Sequence, residues 1–140
     1  MPDGVEVLPR GVSLEGVLRF TEVAARALEA AREEVDALNV YPVPDGDTGT
    51  NMYLTIAAAR DAVETAVAQA GGPAQCGVGP GLEALGRGAL LGARGNSGVI
   101  LSEMLRALAR RLAEAGPDDR AAAVMAEGMR LAADAAYAAV

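Results

Sequence analysis

Two carboxylates stand two residues apart at Asp45 and Asp47, within the run Pro44-Asp45-Gly46-Asp47-Thr48-Gly49-Thr50-Asn51. In a tight loop such a pair can point at one centre, which the periodicity of a helix does not allow. Carboxylates placed this way suit a hard divalent cation. Magnesium would keep several waters and share its remaining positions with phosphate oxygens. Gly46 and Gly49 let the backbone turn. Thr48, Thr50 and Asn51 add donors beside an expected helix start, whose N-terminus attracts anions. Together these residues outline a metal–phosphate site. They also make an ordinary capping turn, because Asp-Gly and Pro-Asp-Gly form turns that need no ligand. An EF-hand is excluded: counting from Asp45, Thr50 stands where that loop requires glycine and Ile56 where it requires glutamate.

A second stretch of the same character is Arg94-Gly95-Asn96-Ser97-Gly98, immediately before another expected helix. Its small residues allow a ligand to approach, Asn96 and Ser97 supply donors, and Arg94 is the one base near either loop, able to oppose a phosphate. The alternative is that Asn96 or Ser97 simply caps the helix. The glycines from Gly77 to Gly81 match neither a Walker loop nor Gly-x-Gly-x-x-Gly and are expected to be a flexible connection.

Absences narrow the chemistry further. The 140 residues contain no histidine and no lysine, and all twelve basic residues are arginine. Histidine bases and ligands, Schiff-base chemistry and lysine-dependent phosphate loops are therefore excluded. Cys76 stands alone, without a histidine to activate it, and is expected to be a buried or incidental thiol. A formal charge of −7 argues against nucleic acid as a partner. It leaves a nucleotide open, since a metal can neutralise the phosphates. No apolar run reaches the length of a membrane span and no leader pattern opens the chain, so a cytoplasmic protein is expected.

The elements that must position the two loops follow from periodicity. The fold class expected is all-α, because the 51% apolar content is mostly Ala and Leu with only four aromatics, Phe20, Tyr41, Tyr53 and Tyr137. Residues 1–12, with Pro2, Gly4, Pro9 and Gly11, suggest a flexible lead-in, and residues 13–140 a single domain. Ser13 is a good N-cap for a long helix over 13–38 whose stripe runs from Leu14 and Val17 to Val35 and Leu38. Pro42 and Pro44 end it. A second helix is predicted from about Thr50, with Met52, Ile56, Ala59, Val63 and Val67 on one side. A longer loop over 71–81 and a short helix over 82–91 come next. A strong helix carrying Ile100, Met104, Leu108 and Leu112 then ends at Gly116-Pro117. Asp118 would cap the last one, which carries the chain to Val140 and suggests that more sequence follows. Met104, Met125 and Met129 are expected in the core, and no acyl-binding pocket is visible in the pattern.

At this point two segments become recognisable. Leu-Asn-Val-Tyr-Pro-Val-Pro-Asp-Gly-Asp-Thr-Gly-Thr-Asn-Met, Leu38 to Met52, resembles the signature of the N-terminal domain of bacterial fatty-acid kinase A subunits. That domain belongs to the DhaL superfamily, named from the ATP-binding subunit of dihydroxyacetone kinase. Ala-Arg-Gly-Asn-Ser-Gly-Val-Ile-Leu-Ser, Ala93 to Ser102, resembles the family's other N-terminal motif. The resemblance implies an antiparallel helical barrel of about eight helices, of which about five fall in this chain. It implies ATP or ADP bound at one end, with two magnesium ions between an aspartate cluster and the phosphates. Asp45 and Asp47 match two metal-binding aspartates and would carry catalysis, while Asn39 takes the place of the family's first aspartate as a third metal contact. Thr48, Gly49, Thr50 and Asn51 match the surroundings of the phosphates, as do Gly95, Asn96, Ser97 and Gly98 on the second loop. The later Pro-Val-Glu-Gly-Thr motif and further adenine contacts of the family do not occur in the chain, which therefore looks C-terminally incomplete.

The function so implied is transfer of the γ-phosphoryl group of ATP to a fatty-acid carboxylate presented by a lipid-binding partner similar to the DegV family. A homodimer is left open. Two other readings stand beside it: a dihydroxyacetone-kinase-like phosphotransferase acting on a small hydroxyketone, and a non-catalytic helical remnant.

Overall fold

A computed structural model describes residues 11–41 and 44–140. Most of the expected lead-in, and the helix-stopping Pro42, lie outside the described residues. Six helices and no strand occur among them: α1 (Leu14–Leu38), α2 (Thr48–Ala70), α3 (Pro73–Cys76), α4 (Val78–Gly92), α5 (Gly95–Ala113) and α6 (Ala121–Ala138). The all-α expectation holds, with six helices where about five were expected.

Helix α1 begins as its sequence dictates. Ser13 is extended and its hydroxyl accepts the Gly16 N–H at 3.1 Å, with Glu15 in the first turn. Its buried residues, Leu14, Val17, Thr21 and Ala25, all lie in its first half, and Leu38 is 74% exposed. The apolar stripe expected to reach Leu38 is thus covered only in part. Beyond Ala25 the helix lies against the glycine- and threonine-rich start of α2, which covers only a narrow strip of it.

The loop expected over 71–81 is instead largely helical. Pro73 sits in the first turn of α3 and Pro80 in that of α4, where proline removes no bond the helix would have made. Gly81 leaves room for the Leu14 side chain, so α4 can start there against α1. Arg120, not Asp118, is the N-cap of α6, while the carboxylate of Asp119 accepts the Gly116 N–H at 2.8 Å and closes the preceding turn.

Packing is organised around α2, which touches α1, α4 and α5; α4 lies on α5 and α5 on α6. Small residues make the closest seam, where Gly88 and Gly92 of α4 meet Ala58 and Ala62 of α2. Ile56, Val63, Leu82, Leu85, Leu105 and Val124 fill the centre, and Cys76 is buried among the core residues as expected. Met125 packs against this core, but Met129 is 52% exposed, contrary to expectation, because its side of α6 faces away from α5. An apolar cavity of about 230 Å³ remains among α1, α4, α5 and α6, lined by Val17, Phe20, Leu85 and Met125 among others.

Candidate functional site

Three segments meet at one end of the bundle: the end of α1, the loop leading into α2, and the two-residue turn Ala93–Arg94 leading into α5. They enclose a pocket of about 370 Å³ lined by Asn39, Tyr41, Asp45, Asp47, Thr48, Asn51, Gly95, Asn96 and Ser97. The two loops singled out in the sequence therefore share one pocket, although Ser97 and Thr48 are 49 residues apart. The Ser97 hydroxyl donates to the Thr48 carbonyl at 3.3 Å. Behind it, fully buried Thr55 donates to the Asn51 carbonyl at 2.7 Å and accepts the Arg94 N–H at 3.2 Å. These bonds fix the start of α5 against the start of α2.

The Asp45-Gly46-Asp47 loop is shaped by the end of α1. Gly46 turns the chain at φ 65°, a conformation costly for other residues. The side-chain oxygen of Asn39 accepts the N–H groups of Asp47 at 3.1 Å and Thr48 at 3.2 Å. Both lone pairs of that oxygen are used, so Asn39 as placed orders the loop and has no acceptor left for a metal. One turn earlier, the Asp36 carboxylate accepts the Thr50 N–H at 3.0 Å and the Thr50 hydroxyl at 2.6 Å. The Thr50 hydroxyl is the largest influence holding the Asp36 carboxyl below its ordinary range; partial burial opposes it, and the backbone amides of Thr50 and Gly49 add to it.

Asp47 occupies the N-cap position of α2 yet makes no side-chain cap bond. Its carboxylate and that of Asp45 are both exposed in the pocket wall.

Not every residue matched by motif reaches the pocket. Gly49 is buried against α1, where an added Cβ would lie 2.5 Å from the Arg32 carbonyl oxygen. Thr50 is committed to Asp36. Gly98 lies against the Thr55 hydroxyl, where a side chain has no room. Arg94 is exposed and does not line the pocket, nor does any other arginine. Asp36, Tyr41 and Thr55 were not singled out from the sequence. For Asp36 a signal existed: it lies three residues before Asn39, on the same side of α1. Tyr41, 86% exposed at the pocket, gave only the weaker sign of an aromatic beside a turn.

The donor set can be tested against a divalent cation. Among the described residues no cluster of three or more His, Cys, Asp or Glu could hold a metal by itself. Magnesium is commonly bound through one or two carboxylates, with water and substrate phosphates completing its shell. Asp45 and Asp47 in one pocket fit that mode, for an ion that arrives with its phosphates. The helix start on the opposite wall also suits phosphate oxygens: no side chain caps α5, and Gly95, Asn96 and Ser97 of its first turn line the pocket.

Known proteins are similar to parts of this sequence. The profile of the DAK2 domain matches residues 42–140. An uncharacterized protein of Staphylococcus epidermidis is 41% identical over 116 residues, 83% of this chain and 19% of that protein. An uncharacterized protein of Staphylococcus saprophyticus is 48% identical over 88 residues, covering 63% of this chain and 15% of the relative. One of Staphylococcus aureus is 44% identical over 88 residues, with the same two shares. The chain thus spans less than a fifth of the length of these relatives. With the match extending over both loops and every helix from α2 onward, the chain belongs to the DAK2 domain family, the ATP-binding part of DhaL-type kinases, which binds ATP with magnesium.

Proposed function

We propose that the pocket between α2 and α5 binds magnesium–ATP, and that the chain is the nucleotide-binding part of a kinase whose acceptor is a fatty-acid carboxylate. The observation that carries the binding half is the charge of the pocket: its lining holds two carboxylates and no cationic side chain. A bare polyphosphate would be repelled there, whereas a polyphosphate carrying a divalent cation would be attracted. Asp45 and Asp47 hold the metal, and Asn39 holds their loop. The uncapped first turn of α5, with Asn96 and Ser97, takes phosphate oxygens. Thr48 and Asn51 line the floor between them. Two side-chain carboxylates are few for two ions, so a second magnesium would rest mainly on phosphate and water.

When bound, the metal supplies charge neutralisation at the phosphoryl oxygens. The chain's own part is to bind and orient, and it needs no general base, because a carboxylate acceptor is already ionised at neutral pH. This agrees with a sequence lacking histidine and lysine. The fatty-acid assignment rests on the resemblance of Leu38 to Met52, and the acyl chain would be delivered by a partner similar to the DegV family. The binding test is the double substitution Asp45→Asn with Asp47→Asn. Magnesium-dependent ATP affinity measured by calorimetry should fall at least about a hundredfold, the loss of roughly 3 kcal/mol. Unchanged affinity would overturn the assignment. For the acceptor, a longer protein containing this domain should phosphorylate a fatty acid delivered by such a partner and leave dihydroxyacetone untouched.

A further inference from the structure

Helix α2 poses a problem that its own sequence does not solve. Its N-terminus carries partial positive charge and unpaired N–H groups. Its N-cap residue, Asp47, is one of the best cap formers. Left to itself, an aspartate at that position turns its carboxylate back onto the helix. Here it does not. Asp36 and Asn39 reach across from the end of α1 instead and take the N–H groups of Thr50 and Thr48.

We infer that Asp36 is a positioning residue: by capping α2 in place of Asp47, it keeps the Asp47 carboxylate available to the pocket and fills the α2 terminus with a fixed negative charge, so that polyphosphate binds only together with a divalent cation. Two consequences follow from the bonds described. The positive end of α2 is closed to a free anion, which leaves the start of α5 as the uncapped helix end on the pocket. And the loop conformation at Asp45 and Asp47 depends on the end of α1, eleven residues before Asp47. The inference rests on the proposed nucleotide site, but its central claim concerns charge at α2 and can be read without a nucleotide.

The test uses the whole chain and inorganic tripolyphosphate, titrated by NMR in EDTA and again in excess magnesium. Asp36→Asn keeps a capping side chain of the same length and removes the charge; Asp36→Gln, also neutral and able to reach the amide, serves if the first variant folds poorly. In EDTA, either neutral variant should bind tripolyphosphate roughly threefold to tenfold more tightly than the wild type, the size expected for a charge at a helix terminus. The largest shifts should be at the amides of Asp47 and Thr48, which line the pocket at the start of α2. Asp36→Ala removes the cap itself, so Asp47 turns onto the Thr50 N–H, and the magnesium-supported affinity should drop about tenfold. Asp36→Glu, which restores the charge, should return the wild-type dependence on magnesium. If the neutral variants lose thermal stability while the ratio of affinities with and without magnesium stays at the wild-type value, Asp36 is only a structural cap and the inference is wrong. Failure of the wild type to bind magnesium–ATP would instead overturn the proposed function, and the gain in EDTA would still decide the role of Asp36.

Discussion

The carboxyl of Asp36 gives the fold a pH dependence. It is held below its ordinary range chiefly by the Thr50 hydroxyl, in the face of a partial burial that acts the other way. A carboxylate lowered in the folded state stabilises the fold fully above its unfolded value. That contribution fades as pH falls from about 4 through the folded value. Urea titrations at a series of pH values should therefore show the wild type losing stability below about pH 4. Asp36→Asn should be less stable at neutral pH and lose less on acidification. A parallel acid limb in the two proteins would contradict the assignment. Thr50 shows the same economy: a residue matched by motif to the phosphates has both its amide and its hydroxyl committed to a carboxylate of the neighbouring helix.

Among the elements, the crossing of α1 and α2 is the contact that most constrains the site, and Gly49 is its narrowest point. A Cβ there would lie 2.5 Å from the Arg32 carbonyl oxygen and 3.1 Å from the Arg32 Cα, which are backbone atoms that move only with the whole helix. In an open helix, Gly→Ala stabilises by up to about 1 kcal/mol; here Gly49→Ala should destabilise by about 2–3 kcal/mol in urea unfolding, the cost of overpacking. The sign alone separates the two cases. Much of this was legible in the sequence, because Ser13 and the periodic residues after it state where α1 begins, and Pro42 and Pro44 state where it must have ended. Helix α3 and the first turn of α4 were hidden by Gly72, Pro73, Gly77, Gly79 and Pro80, which read as loop residues until proline's tolerance at helix starts and the docking of Gly81 on Leu14 are known. Asp36 was visible only as a carboxylate one turn before Asn39, and its capping of α2 was not, since a cap supplied fourteen residues away leaves no pattern at the helix it caps. Nor was the commitment of Gly49 and Gly98 to helix contact: a glycine that admits a ligand and one that admits a helix look alike in sequence.

At the scale of the molecule, a core built almost without aromatics closes through small residues and leaves an apolar cavity of about 230 Å³. Helix α6 is joined to α5 by Arg111 and Glu127 at 2.6 Å, a partly exposed pair that water and salt screen. No helix among the described residues is long and apolar enough to cross a membrane. If the pocket binds magnesium–ATP, a hundredfold excess of ligand over its Kd should add about 2.7 kcal/mol of stability. For a chain of this length, that raises the melting temperature by roughly 5–10 °C. The shift should vanish with EDTA. Equal melting curves in all conditions would favour the helical remnant.

The bond from Ser97 to Thr48 joins residues 49 apart, and that from Arg94 to Thr55 joins residues 39 apart, across the Gly71–Gly72 connection. The pocket is thus a property of tertiary assembly, and neither half of the polypeptide carries it alone. Closing so long a loop is slow relative to helix formation, so the helices can exist before the pocket does. A ligand seated between the halves then acts as a non-covalent staple, and slowed amide exchange at both Thr48 and Ser97 would record their docking as one event.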